Sequence, residues 1–356
     1  MRQSDYRTLL RFVSILLIYI AIFMSFSNTS HAQFSDIGSM IQAGEADATI
    51  LTREYLRPFG EGIGAVTNVG WVNRANPHRK LGFDIQIRAS AAMVPANRRE
   101  FDVNTLGLQA ARPNGTGTFT PTISGKNNTG VGFDVYGTDS NGDEYNLGDF
   151  NMPKGTGFPY IPAPMVNASV GLVFDTDVMV RFIPTTSLYG VNGSVSLVGA
   201  GLKHGLNQYI PAGGLLPIDL SVMAAFTQFR IEADPNVRID QSSDFDQQLL
   251  FSANSFNTNL LVGKNLPFIS AFAGIGFETS STSFEANGQY PVLEVEAGGQ
   301  QQQAVLNDPV NISYDDNSAF RALAGVRFSI LILDLFADVT YSDYIVGSAG
   351  FGISFR

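Results

Sequence analysis

Apolar and polar residues alternate with a period of two through most of this chain, and the last three segments show it most plainly. Ile345, Gly347, Ala349, Phe351, Ile353 and Phe355 share one face, while Val346, Ser348, Gly350, Gly352, Ser354 and Arg356 share the other. Before them, Leu331, Leu333, Leu335, Ala337, Val339 and Tyr341 oppose Ile332, Asp334, Phe336, Asp338 and Thr340. Phe320, Ala322, Ala324, Val326 and Phe328 oppose Arg321, Leu323, Gly325 and Arg327. A period of two sends successive side chains to opposite faces of a strand. The pattern predicts about eleven strands, at 64–74, 82–95, 165–174, 177–186, 192–207, 217–232, 249–262, 266–285, 317–328, 331–342 and 344–356.

A soluble sandwich would alternate too, so length and connections must decide. The alternating stretches within these segments run about 9–12 residues, the span of a tilted transmembrane strand, against the usual 5–6 of soluble domains. The turns near Asp175-Thr176, Gly263 to Pro267 and Ser329-Ile330 are tight, whereas 96–163, 232–248 and 286–317 are long and polar. Alternating short and long connections are the habit of outer-membrane barrels. The expected fold class is therefore all-β, an antiparallel transmembrane β-barrel over 62–356 with an external loop subdomain at about 96–163. Such barrels normally have an even number of strands, so the expectation is 12–14, with a further strand within 96–163 or 303–316. The chain ends on its last strand, which must pair back with the first, since an open edge is not viable in lipid.

The period differs at the start of the mature chain. Ile37, Met40, Ile41, Ala48, Leu51 and Tyr55 recur at helical spacing, and Pro58 and Gly60 follow. These predict a short helix over 34–58, with 33–61 acting as a plug of the barrel lumen or as a periplasmic segment. Ahead of it, Arg2, Arg7 and Arg11 precede an apolar run from Phe12 to Phe26, then Ser30-His31-Ala32. That is the layout of a cleaved signal peptide over 1–32. The apolar run is short of the roughly 20 residues a membrane-spanning helix needs.

Composition narrows the chemistry. The chain of 356 residues has no cysteine, so disulfides, thiol nucleophiles and cysteine-ligated metals are excluded. A net charge of -10 argues against a nucleic-acid partner. Two histidines, His78 and His204, remain after export, without a Gly-x-Ser-x-Gly elbow or metal-ligand spacing. No catalytic residue, metal or cofactor is expected. Asp139-Ser140-Asn141-Gly142-Asp143-Glu144 resembles part of a calcium loop, but an Asn-Gly hairpin turn accounts for it equally.

The candidate site is the set of charges whose parity points inward: Asp84, Arg88, Asp177, Arg181, Asp219, Glu278, Arg321, Arg327, Asp334 and Asp338. Two readings fit them: a salt-bridged interior, or a polar wall that tunes what passes. Met179, Ile183, Met223, Phe229, Phe272, Leu323 and Phe336 interrupt that wall. They suit an interior packed on the helix, or a pocket for a small hydrophobic ligand.

The run Tyr55-Leu56-Arg57-Pro58-Phe59, then Gly70-Trp71-Val72-Asn73-Arg74-Ala75-Asn76-Pro77-His78 and Gly82-Phe83-Asp84, resembles the opening of an uncharacterised family of exported barrels. Phe182-Ile183-Pro184 and Gly201-Leu202-Lys203-His204-Gly205 extend that likeness. In layout, a helix before a barrel, the chain is similar to the long-chain fatty-acid transporter type. That resemblance implies passive transport of a small molecule across the outer membrane. The alternative is a non-transporting barrel that binds an envelope, adhesion or secretion partner. Either would sit in outer-membrane lipid, and Phe355 resembles the terminal aromatic read by the outer-membrane assembly machinery, moved one place inward by Arg356.

Overall fold

A computed structural model of the chain describes residues 40–41, 43–187, 192–211, 213, 216–234, 245–295 and 301–355. The signal peptide expected at 1–32 and the start of the expected helix, 34–39, lie outside the described residues. Ten antiparallel strands close into one barrel. In chain order they are β1 (Phe83–Met93), β7 (Tyr160–Gly171), β8 (Thr176–Ser187), β9 (Gly193–Gly205), β10 (Asp219–Ala233), β11 (Gln247–Asn265), β12 (Ile269–Val295), β14 (Val310–Ile330), β15 (Leu333–Tyr341) and β16 (Ile345–Phe355). Each pairs with its neighbour, and β16 returns to β1 in unbroken register from Phe83 opposite Phe355 to Met93 opposite Ile345. The ring therefore has no free edge, as a lipid surrounding requires.

The count corrects the expectation of 12–14 strands. Segment 64–74 is not a strand: its first residues end the long helix α1 (Glu45–Asn68), and the rest runs through the barrel without pairing. That segment is short and rich in Gly, Val and Ala, so either period fits it, and burial inside the barrel decides for helix. Removing it leaves an even ring without any missed strand. Residues 310–316 extend β14, and 96–163 builds separate small sheets.

The helix also runs past its expected end, with Pro58 inside it. A proline within a helix costs about 3 kcal/mol and leaves the carbonyl four residues back without its donor. Packing offsets this, because α1 touches β1, β7, β10, β11, β12 and β14 around the ring. The Tyr314 hydroxyl also donates to the Arg53 carbonyl at 2.7 Å, in the turn that the proline opens.

The two ends of the barrel differ. At one end the β7–β8, β11–β12 and β14–β15 connections are tight turns. At the other, β12 and β14 project as a long hairpin, joined by β13 (Gln301–Asn307), and 94–159 folds over the mouth. Within that cap, β3 (Ala111–Pro113), β5 (Gly132–Thr138) and β6 (Glu144–Asn151) form one sheet, and β2 (Glu100–Asp102) with β4 (Phe119–Pro121) another. The Asp139 carboxylate accepts the amides of Asn141 and Asp143, so the calcium-like run is a turn bound to itself.

Around the ring the outward face is apolar. Phe226, Phe256, Phe277 and Phe320 lie on the long-loop side of this belt, and Phe83, Phe328 and Phe355 on the short-turn side. The nine residues of β15 rise about 23 Å at the usual tilt, close to the roughly 25 Å apolar band of transmembrane barrels. No described helix is long and apolar enough to cross a membrane.

Closure can be checked chemically in this cysteine-free chain. Ser90 and Ser348 are register partners with their hydroxyls 2.9 Å apart inside the β1–β16 seam. The double variant Ser90→Cys, Ser348→Cys is expected to oxidise to a disulfide, read as a mobility shift on a non-reducing gel. The pairing Ser90→Cys, Ser329→Cys is expected to give none.

Candidate functional site

The helix descends from the long-loop end and stops inside the barrel. Near its start the buried Asp47 carboxylate accepts the backbone N–H groups of Gln109, Ala110 and Ala111 at 2.8–3.1 Å, tying it to the cap. Lower down, Gly62 lies so close to β7 that a Cβ would meet Ile161 at 2.6 Å, and one on Gly64 would meet Ser280 of β12 at 2.3 Å. Residues two apart lie on nearly opposite sides of a helix. The walls therefore grip it from both directions, and only glycine fits at these two positions.

At its C-terminus a helix leaves carbonyls without donors and carries partial negative charge. In the barrel interior water cannot supply the donors, and the wall does. Arg181 of β8 donates to the carbonyls of Thr67 (2.8 Å) and Val69 (2.7 Å), with its guanidinium stacked 4.1 Å over the Trp71 ring. Arg321 of β14 donates to the Asn68 carbonyl at 2.9 Å and pairs with Glu278 at 3.2 Å. Thr227 and Asn167 take the carbonyls of Thr67 and Gly70. Arg88 of β1 donates to the Val72 carbonyl at 3.1 Å, pairs with Asp338 and lies over the Phe336 ring.

A second cluster holds the end of the plug segment. The backbone N–H and Nδ1 of His78 meet Asp177 at 2.8 and 3.0 Å, and its Nε2 lies 3.3 Å from Asp84. Lys203 pairs with Asp177 at 3.1 Å, and Ser169 donates to Asp84 at 2.6 Å. Arg327 and Asp334 pair at 2.8 Å beside the β14–β15 turn, bridged by Ser329. Between the two clusters Trp71, Val72 and Ala75 pack on Met179, Met223, Leu261, Phe272 and Leu323.

Nine of the ten candidate charges thus lie inside the barrel and meet the plug or one another. Asp219 does not: it is half-exposed at the short-turn rim and accepts from Asn265 at 2.7 Å. The apolar interruptions of the wall pack on the plug rather than line an empty lumen. Lys203 and Asn167 escaped sequence reasoning although their inward parity was available. Trp71 escaped because its segment reads as a strand, and His78 because its partners are distant in sequence. The cavities at the ends are a space of about 480 Å³ at the long-loop rim, beside Asn192, Glu232, Gln247 and Asn287, and one of about 260 Å³ at the short-turn rim, beside Asn76, Asp175 and Asn207.

Arg181→Met would strand two buried carbonyls, at about 1–3 kcal/mol each. The expected loss is on the order of 3 kcal/mol, read from urea unfolding in vesicles. Arg112→Met, at an exposed ion pair of the cap, is expected to leave the urea midpoint unchanged.

No curated protein matches the sequence. The barrel is similar to the attachment invasion locus protein Ail of Yersinia pestis, with a TM-score of 0.23 and 10% identity, covering 78% of this chain and 100% of that one. It is similar also to the translocator domain of the autotransporter NalP from Neisseria meningitidis (TM-score 0.28, 10% identity, 78% of this chain and 90% of that one). The outer-membrane protease OmpT from Escherichia coli gives a TM-score of 0.27 and 8% identity over 77% of this chain and 97% of that one. These likenesses are of barrel architecture and go no further. They do not support the resemblance to the fatty-acid transporter type. In sequence, one family model fits residues 10–355, nearly the whole chain, and the protein belongs to DUF6588, a family of unknown function.

Proposed function

We propose that this protein is an outer-membrane barrel sealed by its own N-terminal helix, which presents the folded cap at its long-loop end to a partner outside the cell. The observation that carries this reading is the seat of the plug: its backbone carbonyls from Thr67 to Ala75 are held by wall side chains from β1, β7, β8, β9, β10 and β14. A passive route for a small molecule, hydrophobic or otherwise, would need this segment to leave. That would take the plug carbonyls from Arg88, Arg181 and Arg321, and would leave Arg181 bonded to Asn167, while the other two keep Asp338 and Glu278. The polar, covered mouth favours a binding or scaffold role over uptake.

The belt supports residence in outer-membrane lipid, with the short turns towards the periplasm and the long loops outside, after export by the signal peptide. Phe355 faces outward at the end of the closing strand, where the outer-membrane assembly machinery would meet it. The protein acts without catalysis on this reading. Both ring nitrogens of His78 are buried against carboxylates, and His204 is bonded to Thr176 and Tyr209 on the outer face.

Planar-bilayer recordings on the full chain test the seal. The native protein is expected to show no steady conductance, and the double variant Arg181→Met, Arg321→Met is expected to show openings. A steady ohmic pore in the native protein would overturn the proposal. Orientation is tested on intact cells. Cysteine at the exposed Ala46 is expected to react with a membrane-impermeant maleimide, and cysteine at the exposed Lys80 only after the outer membrane is permeabilised.

A further inference from the structure

Turns ordinarily carry polar residues and glycine, yet the short-turn end of this barrel carries large apolar ones. Leu81 is 66% exposed, Phe174 76%, Phe268 73% and Leu331 96%. Each sits in a different connection: before β1, between β7 and β8, between β11 and β12, and between β14 and β15. Three of them also hold the left-handed backbone conformation, with φ of 60° at Leu81, 59° at Phe174 and 58° at Leu331.

Bulky side chains rarely occupy that region, and tight hairpins usually place Asn, Asp or Gly there. The long-loop end follows the usual rule. Its left-handed non-glycine residue among those described is Asp308, with φ 50°, in the turn before β14. At the short-turn end Asp175, with φ 46°, also follows the usual rule, and at the other three left-handed positions backbone strain coincides with apolar exposure. In water both are unfavourable, and one substitution to Asn or Gly would relieve both. An apolar surrounding turns the side chains into a favourable term.

We propose that the short-turn end is seated in the bilayer interface, with Leu81, Phe174, Phe268 and Leu331 inserted into the adjoining leaflet. The inference rests on the reading that the belt lies in a membrane. The tips continue that belt without a break, since Phe83, Leu172, Phe328 and Leu333 face outward directly above them. Arg79 and Lys80 beside Leu81, and Lys264 at the end of β11, are exposed at the level where lipid phosphates would lie. Asp175 is the acidic residue among these turns and is exposed beside Phe174. The consequence is a barrel whose periplasmic end is anchored flush with the lipid instead of standing clear of it.

Single-cysteine variants give a direct test, because the chain has no cysteine of its own. Phe174→Cys, Phe268→Cys and Leu331→Cys would be spin-labelled in the full chain. Each is then folded into vesicles of phosphatidylethanolamine and phosphatidylglycerol, and its collisions with oxygen and with an aqueous nickel chelate are compared. Ala337→Cys, outward-facing in the middle of β15, and Ala46→Cys, exposed at the opposite end, are the references. The tip labels are expected to meet nickel several-fold less often than Ala46→Cys and to favour oxygen, as Ala337→Cys does. Tip labels as open to nickel as Ala46→Cys, with Ala337→Cys still in lipid, would overturn the inference and leave the apolar rim to a periplasmic protein. If Ala337→Cys is itself open to nickel, the membrane reading fails and the inference with it.

Discussion

A helix that ends inside a barrel must find donors for its last carbonyls where there is no bulk water, and most of this structure follows from that requirement. Arg181 and Arg321 supply the donors from opposite parts of the wall, and Thr227 and Asn167 complete the set. Burying guanidinium groups is itself unfavourable. The negative end of the helix, the Glu278 and Asp338 carboxylates and the faces of Trp71 and Phe336 offset that cost. Neither the plug nor the charged wall is stable in this form without the other.

The cross-section obeys the same dependence. An eight-stranded barrel is just filled by its own side chains. Two further strands leave room for a slender occupant, and the wall changes character with what passes it. Beside the last turns of the helix it is small and polar, with Ser255, Ser280 and Asn257 against Gly64, Thr67 and Asn68. Where only the extended segment from Gly70 to Ala75 remains, the wall thickens to Met179, Met223, Phe272 and Leu323. Met179, Met223, Phe272 and Leu323 are thus matched to a narrower partner and leave a pocket for a hydrophobic ligand no place at that level, while Ile183 and Phe229 belong to the cluster around the helix.

The barrel was legible because an apolar outward face and an inward face packed on the plug impose a strict period of two. Ten of the segments read as strands are strands, and parity sent Arg88, Arg181 and Arg321 inward correctly. Parity reports a face and not a depth, which is why Asp219, at the rim, was grouped with charges that are fully buried. It also says nothing of partners. The contact between His78 and Asp177 spans 99 positions, and that between Arg321 and Asn68 spans 253. Residues 64–74 misled for a different reason. Ala65, Val66, Val69 and Trp71 satisfy a strand pattern locally, and only the enclosing wall makes the first part a helix and leaves the second unpaired.

The path of the chain also constrains how the barrel forms. The helix starts under the cap, and the segment after it leaves at the short-turn end, where β1 begins. In a finished ring, α1 would have to pass upward between Met179, Phe272 and Leu323, which fill the lower interior around a single extended strand. A folded helix is about 10–12 Å across with its side chains, too wide for that level. Closure of β16 on β1 around a helix already in place avoids the passage. It also gives the wall arginines their carbonyl acceptors before the interior loses its water. On that order of events the plug is the template on which the ring closes.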